Sequence, residues 1–311
     1  MIIGVDIGGT KCALSVPAAD GQTVREVARF PTAGVEATLA RIYAEIDRLS
    51  PGGDAVFGVS CGGPLDAKRG LILSPPNLPG WDRIAICQEL TQRFGGRAFL
   101  MNDANACALA EWQFGAGRGC QSMIFLTMGT GMGAGLILDG RLYEGVTGNA
   151  GEVGHVRLAA EGPVGYGKAG SFEGFCSGGG IAQLARRRVG EFEGASRLKA
   201  GAAEQITART VWEAAGAGDV LARAIWTEVG TRLGEALAWM VDVLNPERIV
   251  IGSIFARCEK FIAPAMTAVL ERETLPDSWR DCRVVPAQLG DAIGSYGAVA
   301  IARYHGSRRE N

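Results

Sequence analysis

Two periods of apolar positions run along this chain. Residues 2–7 are apolar apart from Asp6 and predict a buried strand. Gly8-Gly9 break the run, and residues 12–16 resume it as a second strand. Val24–Pro31 predict a third. Val35, Leu39, Ile42, Tyr43, Ile46 and Leu49 then share one helical face, and Pro51-Gly52-Gly53 end that helix. A buried strand follows over 55–60. Residues 61–81 are rich in Gly and Pro and predict a loop with a short strand at 71–73. Next come a helix over 84–94, a strand over 98–101 running into Asn102-Asp103, and a small-residue helix over 104–114.

The opening pattern then returns. Residues 122–128 are apolar, Gly129-Thr130-Gly131-Met132-Gly133 break the run, and 134–138 resume it. Residues 144–180 are irregular and dense in glycine. Residues 181–244 predict mostly helix, with a long amphipathic stretch at Val220–Leu244. A strand at Arg248–Ile251, a helix over 259–273, a strand over 283–287 and a closing helix over 292–304 complete the pattern. Strands alternating with helices predict an α/β fold. The repeated strand, glycine turn and strand suggest a duplicated architecture.

Composition narrows the function classes. The 311 residues suffice for two domains with large cores. A net charge of −2 argues against a general binder of nucleic acid or membrane surfaces. The eight cysteines are scattered, without a Cys-x-x-Cys, and predict free thiols in a reducing cytoplasm. No apolar run is long enough to span a bilayer. The 46 glycines are the outlier, and they direct attention to glycine loops.

Four segments carry candidate chemistry. Asp6-Ile7-Gly8-Gly9-Thr10-Lys11 places a carboxylate at a strand end before two glycines and a hydroxyl. Such glycines let backbone N–H groups approach an anion. Thr10 offers a donor to a phosphate oxygen, Lys11 adds charge, and Asp6 suits Mg²⁺ held through water. Read alone, the turn is equally an ordinary hairpin. Gly129, Thr130, Gly131 and Gly133 repeat the logic, and two such turns in different halves suggest a nucleotide gripped between them. Asn102-Asp103 opens a helix. That is a normal cap, and it is also a place for a general base. Gly151-Glu152-Val153-Gly154-His155 holds one of only two histidines.

Together these residues resemble the ROK family of sugar kinases and sugar-responsive repressors, within the actin/hexokinase-like ATPase superfamily. The resemblance rests on GVDIGGTK (4–11), GGPLD (62–66), PPNLPGW (75–81), NDANACALAE (102–111), the run 128–145, NAGEVGH (149–155), IVIGS (249–253) and LGDAIGSYGA (289–298). It implies two ribonuclease-H-like, actin-like ATPase domains around a central cleft. One would be 1–117 plus 292–311, with the C-terminal helix packed back on it. The other would be 118–291. It implies a glucokinase-like enzyme using ATP and Mg²⁺ on a hexose hydroxyl, with glucose C6 expected first. N-acetylmannosamine or N-acetylglucosamine is the alternative. Asp103 would be the catalytic base. Gly63, Asn77, Asn102, Asp103, Glu152, His155 and Glu173 would bind sugar. Asp6, Gly8, Gly9, Thr10, Lys11, Gly129, Thr130, Gly131 and Gly133 would handle phosphates and Mg²⁺, with Gly252 and Ser253 near the adenosine. A homodimer or a dimer of dimers is the expected assembly, with no nucleic-acid or membrane partner.

One departure is large. Many family members carry Cys-Gly-Cys-Gly-x-x-Gly-Cys-x-Glu as a zinc motif. Here the stretch is Val164 to Glu173, with Val164, Tyr166 and Ser171 at the thiolate positions, so no zinc site is expected. A repressor reading is disfavoured because such members place a winged helix before the loop that starts here at Asp6. A catalytically inactive sugar-binding regulator is the remaining rival, and the intact Asp103 and both glycine loops speak against it.

Overall fold

The structure is a computed structural model and describes residues 1–307. The remaining positions of the expected 292–311 segment lie outside the described residues. The first sheet is built from β1 (Ile2–Ile7), β2 (Lys11–Pro17), β3 (Val24–Pro31), β4 (Val56–Cys61) and β8 (Arg97–Asn102), in the order β3-β2-β1-β4-β8. Between β4 and β8 lie a small sheet of β5 (Leu65–Asp66), β6 (Leu71–Leu73) and β7 (Asp82–Ile84), and helix α2 (Ile86–Phe94). Helix α1 (Val35–Leu49) precedes β4, and α3 (Asp103–Phe114) leaves β8 directly. The second sheet repeats the plan with β9 (Met123–Met128), β10 (Met132–Leu138), β11 (Arg141–Tyr143), β14 (Arg248–Ile251) and β15 (Arg283–Pro286), in the order β11-β10-β9-β14-β15. This is the α/β actin-like ATPase fold that the sequence pattern and its resemblance predict.

Between β11 and β14 of the second sheet lie a hairpin, β12 (Val164–Gly165) with β13 (Lys168–Ala169), and helices α4 (Phe172–Cys176), α5 (Gly178–Glu191), α6 (Ala208–Gly216) and α7 (Val220–Leu244). Helix α8 (Ile254–Glu273) joins β14 to the short α9 (Pro276–Asp281), and α10 (Ile293–Gly306) closes the described chain. Two of these differ from the pattern's prediction. Helix α8 begins five positions before residue 259, because Ile254, Phe255 and Cys258 already face the core while Arg257, Glu259 and Lys260 face solvent. Ile84 pairs with Ile72 of β6 instead of opening the helix, and α2 starts at Ile86. The irregular stretch 144–180 also holds the β12–β13 hairpin, a helical turn at Val153–His155 and α4.

The cores explain how the halves meet. Ile3, Val5, Leu14, Ile42, Phe57 and Trp81 fill one, and Ile124, Phe172, Trp226, Leu233 and Ile249 fill another. A third layer lies between them, with Ala106, Leu109, Phe125, Val250 and Ile301 at its centre. Helix α10 lies on β1 and β4, while α3 packs against β9, β10 and α10. The small residues of α3 make this possible: Gly135 of β10 is so near that a Cβ there would stand 2.4 Å from the Ala108 Cβ.

Candidate active site

Parallel pairing aligns the first set of site residues. Asp6 is level with Ser60 of β4, which is level with Met101 of β8. The C-terminal ends of β1, β4 and β8 therefore share one edge, the usual place for a ligand on an α/β sheet. Asn102 ends β8 and caps α3, its side-chain oxygen taking the Asn105 N–H at 2.8 Å. That cap directs Asp103, the first residue of α3, into the cleft. Its Oδ1 accepts the adjacent Ala104 N–H at 2.9 Å.

Two carboxyls here have raised affinity for protons. Burial pushes Asp6 up to about 6, and the charge of Asp103 adds to it. Lys11, Arg29 and a hydrogen bond from Ser60 act in the opposite direction. Asp103 is accessible from the open cleft, yet the surrounding protein desolvates it and holds its carboxyl above the usual range. The first turn of α10 closes this corner. A Cβ on Gly294 would lie 2.4 Å from Asp6 Oδ2.

Each glycine turn closes on itself with one backbone hydrogen bond. Gly8 N–H bonds to Lys11 O at 3.1 Å, and Gly129 N–H bonds to Gly131 O at 3.0 Å. Each turn thus spends one amide on itself, which leaves the others for an anion. Gly9 is required by close approach: a Cβ would meet the Asn77 carbonyl oxygen at 2.5 Å. Asn77 is thereby brought to the first turn. Gly133 lies within β10, where it faces Ala104 of α3, and so sets the start of that helix beside the second turn. Gly129 lies beside Ser253, and its carbonyl accepts the Gly178 N–H at 2.8 Å.

Glu173 links the second turn to the histidine segment. Its Oε2 accepts the Met132 N–H at 3.0 Å, and it stands beside Gly131 and Gly154. Gly151, at φ +94°, lets the chain tuck against Ala134 before His155. Glu152 is exposed just ahead of the Val153–His155 turn. The His155 ring meets Tyr166 edge-on at 5.0 Å, and the Lys168 ammonium donates to the His155 carbonyl at 2.7 Å. Tyr166 and Gly167 form the two-residue turn of the β12–β13 hairpin, with φ of +44° and +77°. Gln183 on α5 clamps this hairpin, accepting the Val164 N–H at 3.0 Å and donating to its carbonyl at 2.9 Å. Val164, Tyr166 and Ser171 do not fit a zinc ion. The first has no donor atom, and the Ser171 hydroxyl is taken by the Gly174 N–H at 3.0 Å.

Sequence reasoning missed several of these residues. Ser60, Arg29 and Gly294 around Asp6 are brought in by strand pairing and by α10, and no local pattern marks them. The start of α5 had a signal, a capping Ser177 followed by three glycines.

The whole described architecture matches known proteins. The ROK family model covers residues 2–305. This chain belongs to the ROK family. Its relatives include the glucokinase of Thermotoga maritima, 32% identical over 307 residues, which span 97% of each chain. Among solved structures, the ROK hexokinase from Thermus thermophilus aligns with a TM-score of 0.83 at 28% identity, covering 98% of each chain. The ROK family glucokinase from Streptomyces griseus, in complex with glucose and AMPPNP, aligns at 0.75 with 31% identity, covering 97% of this chain and 99% of that one. Membership of the ROK family gives the cleft its context: its kinase relatives support phosphoryl transfer to a sugar. No helix among the described residues of this ROK protein is long and apolar enough to cross a membrane.

Proposed function

We propose that this chain transfers the γ-phosphoryl group of ATP to a hexose, with the C6 hydroxyl of glucose as first acceptor. The observation that carries the proposal is Asp103, a desolvated carboxyl at a helix start, set beside Asp6 and two glycine turns in one cleft. The S. griseus relative, found with glucose and an ATP analogue, supports the same pair of substrates.

In this reading Asp103 accepts the proton of the sugar hydroxyl. The freed oxygen attacks the γ-phosphorus in line, and the bond to the bridging oxygen breaks as ADP leaves. Amides of the 8–11 and 129–131 turns, with Thr10, Thr130 and Lys11, hold the phosphate charge, and Gly252 with Ser253 border the adenosine. His155, Glu173, Asn102, Asn77, Glu152 and the Gly63 loop hold sugar hydroxyls. Among the described residues no group of three or more His, Cys, Asp or Glu is placed to grip a metal ion. Magnesium therefore fits as an ion carried mainly by phosphates and water, with Asp6 as its protein anchor. When bound it supplies positive charge to the phosphate oxygens.

The test is an ADP-release assay over glucose, mannose, N-acetylglucosamine and N-acetylmannosamine. We expect glucose to give the highest kcat/KM. Asp103→Asn should bind sugar but turn over ~10²-fold or more slowly, since an amide holds the hydroxyl without accepting its proton. Wild-type turnover in that variant removes Asp103 as base.

A further inference from the structure

Glu111 is a buried carboxylate that the proposed chemistry leaves unused. It lies on α3, two turns beyond Asp103, and is 0% exposed. Its two oxygens serve two different segments. Oε2 accepts the Ala116 N–H at 2.7 Å, and Oε1 accepts the Leu289 N–H at 2.9 Å. Its own carbonyl takes the N–H groups of Gly115 and Gly117, at 3.0 and 2.9 Å. Residues 115–122 lead from α3 into the second sheet, and 287–292 lead from that sheet back to α10. These are the two crossings between the halves. A single side chain holds both, at one end of the helix whose other end is Asp103.

Simple packing does not account for this choice of residue. Burying an ionised carboxylate is unfavourable, and an apolar side chain would fill the space at less cost. The carboxylate does what no apolar group does: it accepts an N–H from each crossing at once. Gly115 yields to it, since a Cβ there would stand 2.0 Å from Oε2. We propose that Glu111 is a positioning residue of the interlobe joint. By tying both crossings to α3, it makes any closure of the halves carry Asp103 with it. This rests on the kinase reading for its functional consequence, while the tether itself does not.

The experiment compares wild type with Glu111→Gln by hydrogen-exchange mass spectrometry and by kinetics. Glutamine keeps one acceptor oxygen and places an amino group opposite the other N–H. Exchange in both 115–122 and 287–292 should quicken about tenfold or more, with β1 and β14 unchanged. The kcat should fall about tenfold or more, while the Kd of the sugar alone moves less than about threefold. Leu289→Pro provides the complementary cut, because it deletes one N–H donor at a φ of −81° that proline tolerates and keeps the carboxylate. The same loss of kcat is expected. Unchanged exchange at the crossings, uniformly faster exchange everywhere, or a wild-type kcat in either folded variant would overturn the proposal. A wild-type protein that phosphorylates no sugar would instead sink the kinase reading, and the selectivity of exchange would still judge the tether.

Discussion

In the proposed reaction, Asp6 and Asp103 set the behaviour of the site at the scale of single residues. The active form of a base is ionised, and both carboxyls are held above their ordinary range. The acid limb of kcat/KM for the sugar should therefore lie above pH 4, where an ordinary carboxylate titrates. Lys11 lowers the Asp6 value, so Lys11→Met should move that limb to still higher pH. Measured profiles from pH 4 to 8 check both, and a limb left near pH 4 contradicts them. The stability consequence has the opposite sense to a salt-bridged carboxylate. Asp6 titrates at about 6 folded and 3.8 as its ordinary value, so the folded state binds more protons between these limits. Stability falls as pH rises through that window, and the cost is complete above it. Asp6→Asn should thus raise the melting temperature of the unliganded protein at pH 7.5, by on the order of 1–3 kcal/mol of stability, while lowering activity. The two carboxyls were legible as strand-end and helix-start residues. Their mutual repulsion was not, because it follows from the pairing of β1, β4 and β8 rather than from any spacing.

In the proposed reading, the element that borders the sugar side is the β12–β13 hairpin. The loss of the thiolates was visible in the sequence as Val164, Tyr166 and Ser171. What stands in their place was not, because Tyr-Gly carries little turn signal beside Asn-Gly and the partners are distant in sequence. The replacement is a set of protein hydrogen bonds: Gln183 on Val164, Lys168 on the His155 carbonyl, and Arg157 on the Ala169 carbonyl at 2.7 Å. Tyr166 stands against the imidazole, whereas Phe172 is buried in the core of the second half. Elemental analysis should then find far less than one zinc per chain, and a zinc-selective chelator with Mg²⁺ in excess should leave activity intact. Gly167→Val should raise the sugar KM with little change in the KM for ATP, since a β-branched residue at φ +77° forces the turn open. Stoichiometric zinc lost together with activity counts against the hydrogen-bonded hairpin.

The whole molecule depends on how closely α10 lies on the first sheet. Alternating strands and helices made the α/β class and the repeated sheet readable, and residues 104–114 were legible as a helix of small residues. That the closing helix packs back on the first half was carried only by the family resemblance, and the seat of α3 against β10 by nothing in the sequence, because helix-to-sheet docking is a long-range choice. Two paired glycines permit it. Gly4 of β1 is level with Gly58 of β4, and both lie under α10. A Cβ on Gly58 would stand 2.1 Å from the Ala298 carbonyl oxygen and 2.6 Å from the Ala302 amide nitrogen. These are backbone atoms of a helix, so no side-chain rotation relieves the overlap. Gly58→Ala must lift α10 from the sheet or bend β4, and we expect it to cost about 3 kcal/mol or more. For a chain of this size that corresponds to a fall in melting temperature on the order of 5–10 °C. Activity should fall as well, beyond what the melting curve explains, because the first turn of α10 also encloses Asp6 through Gly294. Gly53→Ala is the matched control: a Cβ there meets nothing within 4 Å, and its melting temperature should stay at the wild-type value. Equal melting temperatures for the two variants would mean that α10 adapts to the sheet freely, and that the glycine pair does not fix how the halves are joined.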